Sequence, residues 1–124
     1  MALSEFGKAI RKARIDAGQN ISTMAEKLNV SAGYLSGLEN GRKKISDEWV
    51  LKIKSFFSAY KIKLDNLDEL AALSNKEVQI DGLSHQHQML AVGFAKSKLS
   101  KKELDEFASL LEKIKNKKGS NNDN

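Results

Sequence analysis

Three consecutive cations, Arg42, Lys43 and Lys44, follow an Asn40-Gly41 step, and a set of hydroxyl and amide side chains lies shortly ahead of them: Asn20, Ser22, Thr23, Ser31, Tyr34 and Ser36. Such groups suit contact with an anion, and the polyanion that a basic module fits is a phosphate backbone. The charge is spread to match. Net charge is +5, with 12 Lys/Arg against 6 Asp/Glu in residues 1–63 and 9 against 10 in residues 64–124. The bland alternative is a lysine-rich solvated face. Catalysis and metal binding find no comparable grouping. Carboxylates are scattered, no glycine loop suited to cradling phosphate occurs, and there is no cysteine. His85 and His87, two apart at a helix start, point to different sides rather than to one ion. No catalytic residue, no metal site and no cofactor is expected, and the chain is expected not to be an enzyme.

The elements that must hold these donors begin with Asn20 to Gly41, NISTMAEKLNVSAGYLSGLENG. It reads as two short helices around a turn. Met24, Ala25 and Leu28 give the first an apolar stripe, Leu35 and Leu38 give the second, and Val30 fills the space between. Asn20 and Ser31 are natural N-caps, and Asn29 and Gly41 tolerate the positive φ of a helix end. Two helices this short cannot bury a core alone. Ahead of them, Ser4 caps an expected helix over 5–17 with Phe6, Ile10, Ala13 and Ala17 inward. After the basic loop, Ser46 caps a fourth helix, with Asp47 and Glu48 in its first turn and Trp49, Val50, Ile53, Phe56 and Phe57 on its apolar face. Asp65 is the expected cap of a fifth, whose buried side is Leu67, Leu70, Ala71 and Leu73.

From Glu77 to Asp81 polar and apolar residues alternate, which predicts a short strand or extended segment ended by Gly82. Ser84 then caps a sixth helix bearing Met89, Leu90, Val92, Phe94 and Ala95, and Ser100 with Glu103 forms a capping box before a seventh. Leu104, Phe107, Leu111 and Ile114 repeat at spacings of 3, 4 and 3, a seam too short to stand alone in water. It must pack on the sixth helix, on a second subunit, or on both. The polar KNKKGSNNDN end predicts disorder. The expected architecture is all-α: a five-helix DNA-binding domain at 1–74, an oligomerisation or partner-binding segment at 75–116 that opens on the extended stretch and continues as a helical hairpin, and a disordered tail at 117–124. The absence of proline fits helices throughout. The amino-terminal MALSEFGKAIRKAR lacks the apolar centre of a secretion signal, and no run approaches the roughly 18 apolar residues of a membrane span. A soluble, cytoplasmic protein with no membrane partner is expected.

Residues 6–57 resemble the Xre/Cro-type helix-turn-helix family of phage repressors and bacterial regulators. The matching pieces are FGKAIRKAR, MAEKLNVS, YLSGLENGRKK and the apolar fourth helix. The resemblance implies a recognition helix over 32–40, lying in the major groove of double-stranded DNA with its first residues toward base edges. It implies phosphate contacts from Asn40, Arg42, Lys43 and Lys44, and an ion pair between Arg14 and Glu39. The start of the second helix departs from the family's frequent glutamine, with Ile21 there and Asn20, Ser22 and Thr23 around it. The base-reading positions are Ala32, Gly33 and Gly37, which offer no side-chain donor or acceptor; Tyr34 and Ser36 are the polar groups left on that face. Either the surface reads bases poorly, or the bare backbone approaches the groove closely and DNA shape discriminates. The resemblance implies a homodimeric repressor of a palindromic operator; the seam and the alternating segment supply the candidate dimer residues Val78, Ile80, Leu104, Phe107, Leu111 and Ile114, unless that seam closes within one chain on the sixth helix. The alternative is an antitoxin-type protein whose carboxyl-terminal half binds a protein partner while the helix-turn-helix represses its own operon.

Overall fold

The computed structural model describes residues 3–122, with side chains through Lys118. All regular structure among the described residues is helical: α1 Glu5–Asp16, α2 Ile21–Lys27, α3 Ala32–Glu39, α4 Asp47–Ser58, α5 Leu67–Asn75, α6 His85–Lys96 and α7 Lys101–Asn122. Side-chain caps start most of them. Ser4, Asn20, Ser31, Ser46 and Ser84 each accept the backbone N–H three residues on, which satisfies a donor the helix itself leaves without a partner. Asn20 and Thr23 do so reciprocally, as do Ser100 and Glu103 at α7. The Glu103 carboxyl is held below the usual range, first by the Ser100 backbone N–H and then by its hydroxyl. Between α2 and α3 the chain reverses through Leu28–Ser31, with Asn29 at φ +60°.

By its contacts the chain divides after Gln79 into two units. In the first, α1 packs on α3 and α5, α2 on α3, and α4 on α5. Their shared interior holds Phe6, Ile10, Met24, Leu35, Leu38, Val50, Ile53, Phe57 and Leu67, all essentially without solvent contact. Fully burying each such side chain is worth about 1.5–3 kcal/mol, the main favourable term that offsets the cost of ordering the five short helices. In the second unit, α6 and α7 are joined through Ser97–Ser100, and the Phe94 and Phe107 rings meet edge-on at 5.1 Å. No described residue of α6 or α7 is buried.

Several expectations need correction. The 77–81 segment forms no strand: residues 77–80 carry no regular structure, Asp81 is in a turn, and Val78 is 71% exposed. A lone alternating stretch has no partner for its ladder groups. The first unit runs past the expected limit at 74 to Gln79, because Asn75 and Glu77 both bond back to the basic loop. Helix α5 starts from Asn66 without a side-chain cap, not from Asp65, which lies 3.8 Å from Lys63. Acidic Asp68 and Glu69 in its first turn supply the favourable charge instead. Leu73, expected inward, is 64% exposed: it falls outside the Leu67–Ala71 line that meets the core. The expected disorder over 117–124 gives way to helix through Asn122. Propagation adds one backbone hydrogen bond per residue once a helix exists, and no proline interrupts it. Asp123 and Asn124 lie outside the described residues.

Candidate nucleic-acid interface

The surface is built on α3, and α3 is anchored at its last residue. Glu39 is buried; its Oε2 accepts from Arg14 Nη1 at 2.7 Å and its Oε1 from Arg14 Nη2 at 3.1 Å, a two-pronged ion pair between α1 and α3. Its carbonyl accepts from the Ser4 backbone N–H at 3.1 Å and the Ser4 hydroxyl at 2.9 Å. A Cβ placed on Gly7 would lie 2.0 Å from that same carbonyl oxygen. Gly7 thus lets α1 and α3 approach closely. Sequence reading singled out neither Gly7 nor the long-range bonds of Ser4; a glycine within an apolar helix face, at a cost of about 1 kcal/mol, was the available signal.

The basic loop is held from both ends. Asn40 Oδ1 accepts from the Arg42 backbone N–H at 3.2 Å and from Arg42 Nε at 3.1 Å, which ties the guanidinium to the end of α3. At the far end, Asn75 mimics a backbone: its Oδ1 accepts from Ile45 N–H and its Nδ2 donates to Ile45 C=O, both at 2.8 Å. Asn75 was also missed, since nothing in its local sequence points to residue 45.

The remaining predicted residues sort by what already occupies them. Asn20, Thr23 and Ser31 are caps, so their oxygens are engaged with the backbone. Ser22 and Gly33 are exposed, and Ala32, Tyr34 and Ser36 are half-buried along the outer side of α3. Tyr34 lies against Trp49, ring centres 5.4 Å apart.

One assignment changes. Gly37, expected on the open reading face, is buried: a Cβ there would meet Cδ, Cε and Cγ of Lys43 at 3.1–3.2 Å. Lys44, expected to face phosphate, is exposed and forms an ion pair with Glu77. A carboxylate from the chain itself thus competes there for the ammonium.

Among the candidate dimer residues, Leu104, Phe107, Leu111 and Ile114 line one apolar groove with Phe94 and Leu110, each 44–53% exposed. Val78 and Ile80 lie in the irregular segment between α5 and α6. His85 and His87 are both exposed, and no cluster of potential metal ligands occurs among the described residues. No described helix is long and apolar enough to cross a membrane.

A family model described as helix-turn-helix matches residues 10–58. No curated protein and no solved structure matches the chain significantly.

Proposed function

We propose, from the premise that residues 10–58 are a helix-turn-helix domain of the Xre/Cro family and hence the module of a DNA-binding regulator, that this chain is a cytoplasmic repressor that binds a palindromic operator as a homodimer. The observation that carries the reading is the rigid seating of α3: its last residue is fixed to α1 by the Arg14–Glu39 pair while its outer side and the following cations stay accessible. A helix held this way can enter a major groove without loss of register. Arg42, tied to Asn40, is placed to meet the phosphates that flank the groove.

One such module covers one half-site, and pairing supplies the second about 34 Å away. The α6–α7 groove supports pairing through its open apolar side chains. Charge along α7 favours an antiparallel arrangement: residues 101–112 carry Lys101 and Lys102 against Glu103, Asp105, Glu106 and Glu112, a net negative stretch, and Lys113, Lys115, Lys117 and Lys118 follow. Two copies running oppositely set acidic stretch beside basic stretch, a self-complementary contact. The same groove favours a second reading, an antitoxin-type protein that offers it to a protein partner.

DNA titrations over a salt series, joined to light scattering, test both parts. The reading expects a steep fall of affinity with salt and a dimer mass at micromolar concentration. Salt-insensitive or absent DNA binding overturns the regulator. A monomer that binds DNA overturns the homodimer, and a co-purifying small protein bound to α6–α7 favours the second reading.

A further inference from the structure

Lys43 leaves the basic loop in a direction its neighbours do not share. Its backbone N–H donates to the Gly37 carbonyl at 3.1 Å, which ties the loop to the middle of α3. Its aliphatic stem then passes 3.1–3.2 Å from where a Gly37 Cβ would stand, a tight contact for any side chain there. Its ammonium ends 5.3 Å from the centre of the Tyr34 ring, one turn nearer the start of the helix. Arg42 is bound to Asn40 and Lys44 to Glu77, so the three consecutive cations take three different places. Lys43 is laid along α3, toward the end of the helix that approaches base edges.

We infer that Lys43, folded over Gly37 and steadied on the Tyr34 ring, serves as a base-reading side chain of this interface and takes the acceptor edge of a guanine in the major groove. This rests on the DNA-binding reading above and specifies it. An ammonium is a donor without acceptor capacity. In the major groove the edge richest in acceptors is guanine N7 with O6, the pair that lysine and arginine recognise. Gly37 is then small because another residue's chain passes over it. Ring contact with the cation lowers the freedom the side chain must lose on binding. A phosphate contact, by contrast, carries no base preference.

The test is selection of binding sites from randomised duplexes with the full-length protein and with Lys43→Met and Lys43→Ala. Methionine keeps a stem of similar length over Gly37 while removing the charge and the donor, so a loss shared by both variants is not a packing defect. The parent is expected to enrich a motif containing a G·C pair in each half-site. Both variants are expected to lose the preference at that one position, about 10- to 100-fold in discrimination, while keeping the rest of the motif. The same motif bound more weakly by both variants would make Lys43 a phosphate contact and overturn the inference. A parent that binds duplexes without enriching any motif would overturn it too, with the DNA-binding reading left standing. A parent that retains no duplex at low salt would remove both.

Discussion

Residues 3–79 and 80–122 are both built from capped amphipathic helices, yet they spend their apolar side chains differently. In the first unit five helices of at most 12 residues bury thirteen described hydrophobic side chains against one another, and Ile45 of the basic loop joins them. In the second, a 22-residue helix and its neighbour leave Met89, Leu90, Leu110 and Leu111 more than half exposed. Length is therefore not what stabilises a helix here. The short ones meet from several directions and enclose a volume, whereas two helices meeting at one aromatic contact cannot. The first unit is complete as a fold. The second leaves its apolar side chains open to solvent.

The contrast breaks most readily at Glu39. Removing that carboxylate leaves the Arg14 guanidinium buried without its partner, so Glu39→Ala is expected to cost about 3–5 kcal/mol in urea denaturation. A midpoint equal to the parent's would mean the clamp contributes nothing. Gly7→Ala follows, with at least about 1–3 kcal/mol, because the new methyl meets backbone that cannot step aside. Leu111→Lys should behave in the opposite manner. Exposed as it is, it should shift the unfolding of residues 3–79 by less than about 0.5 kcal/mol, yet reduce the mass seen by light scattering from dimer to monomer. A large stability loss there would show that the seam is part of a closed core after all.

Smaller effects sharpen the picture. Glu77→Gln frees Lys44 from an exposed pair worth at most about 1 kcal/mol, so affinity for any duplex should rise by up to about fivefold at low salt. Unchanged affinity in a binding titration would place Lys44 away from the DNA. The smallest concerns pH. Glu103 is depressed in the folded chain, so its cap is fully present above the ordinary glutamate range and is lost as pH falls through its lowered value. Helical signal from the start of α7 should therefore decline only under acid, and Ser100→Ala, which removes the hydroxyl but keeps the backbone N–H that bonds Glu103, should weaken that dependence without abolishing it.

Much of this was legible in the chain itself. Helices α1 to α4 follow from cap residues set before periodic apolar positions, since both signals are local and agreed with each other. Such agreement failed at α5, where Asp65 offered a better cap than the residue used, and at Leu73, where periodicity alone placed a leucine inward. The bonds that position the interface side chains were not legible. Lys43 and Lys44 are adjacent and chemically identical, yet one lies on α3 and the other meets a carboxylate 33 residues away. Asn75 and Gly7 hold the interface through contacts between distant parts of the chain. Neither a pattern of spacing nor a charge count can express a contact of that kind.

The position of Glu39 has a practical consequence. Helix α3 is a beam fastened at its rear, and the fastening includes Ser4. Residues fused ahead of Ser4, such as a purification tag, would load that joint although they touch no nucleotide. A comparison of tagged and cleaved protein should therefore precede any reading of weak affinity as poor recognition.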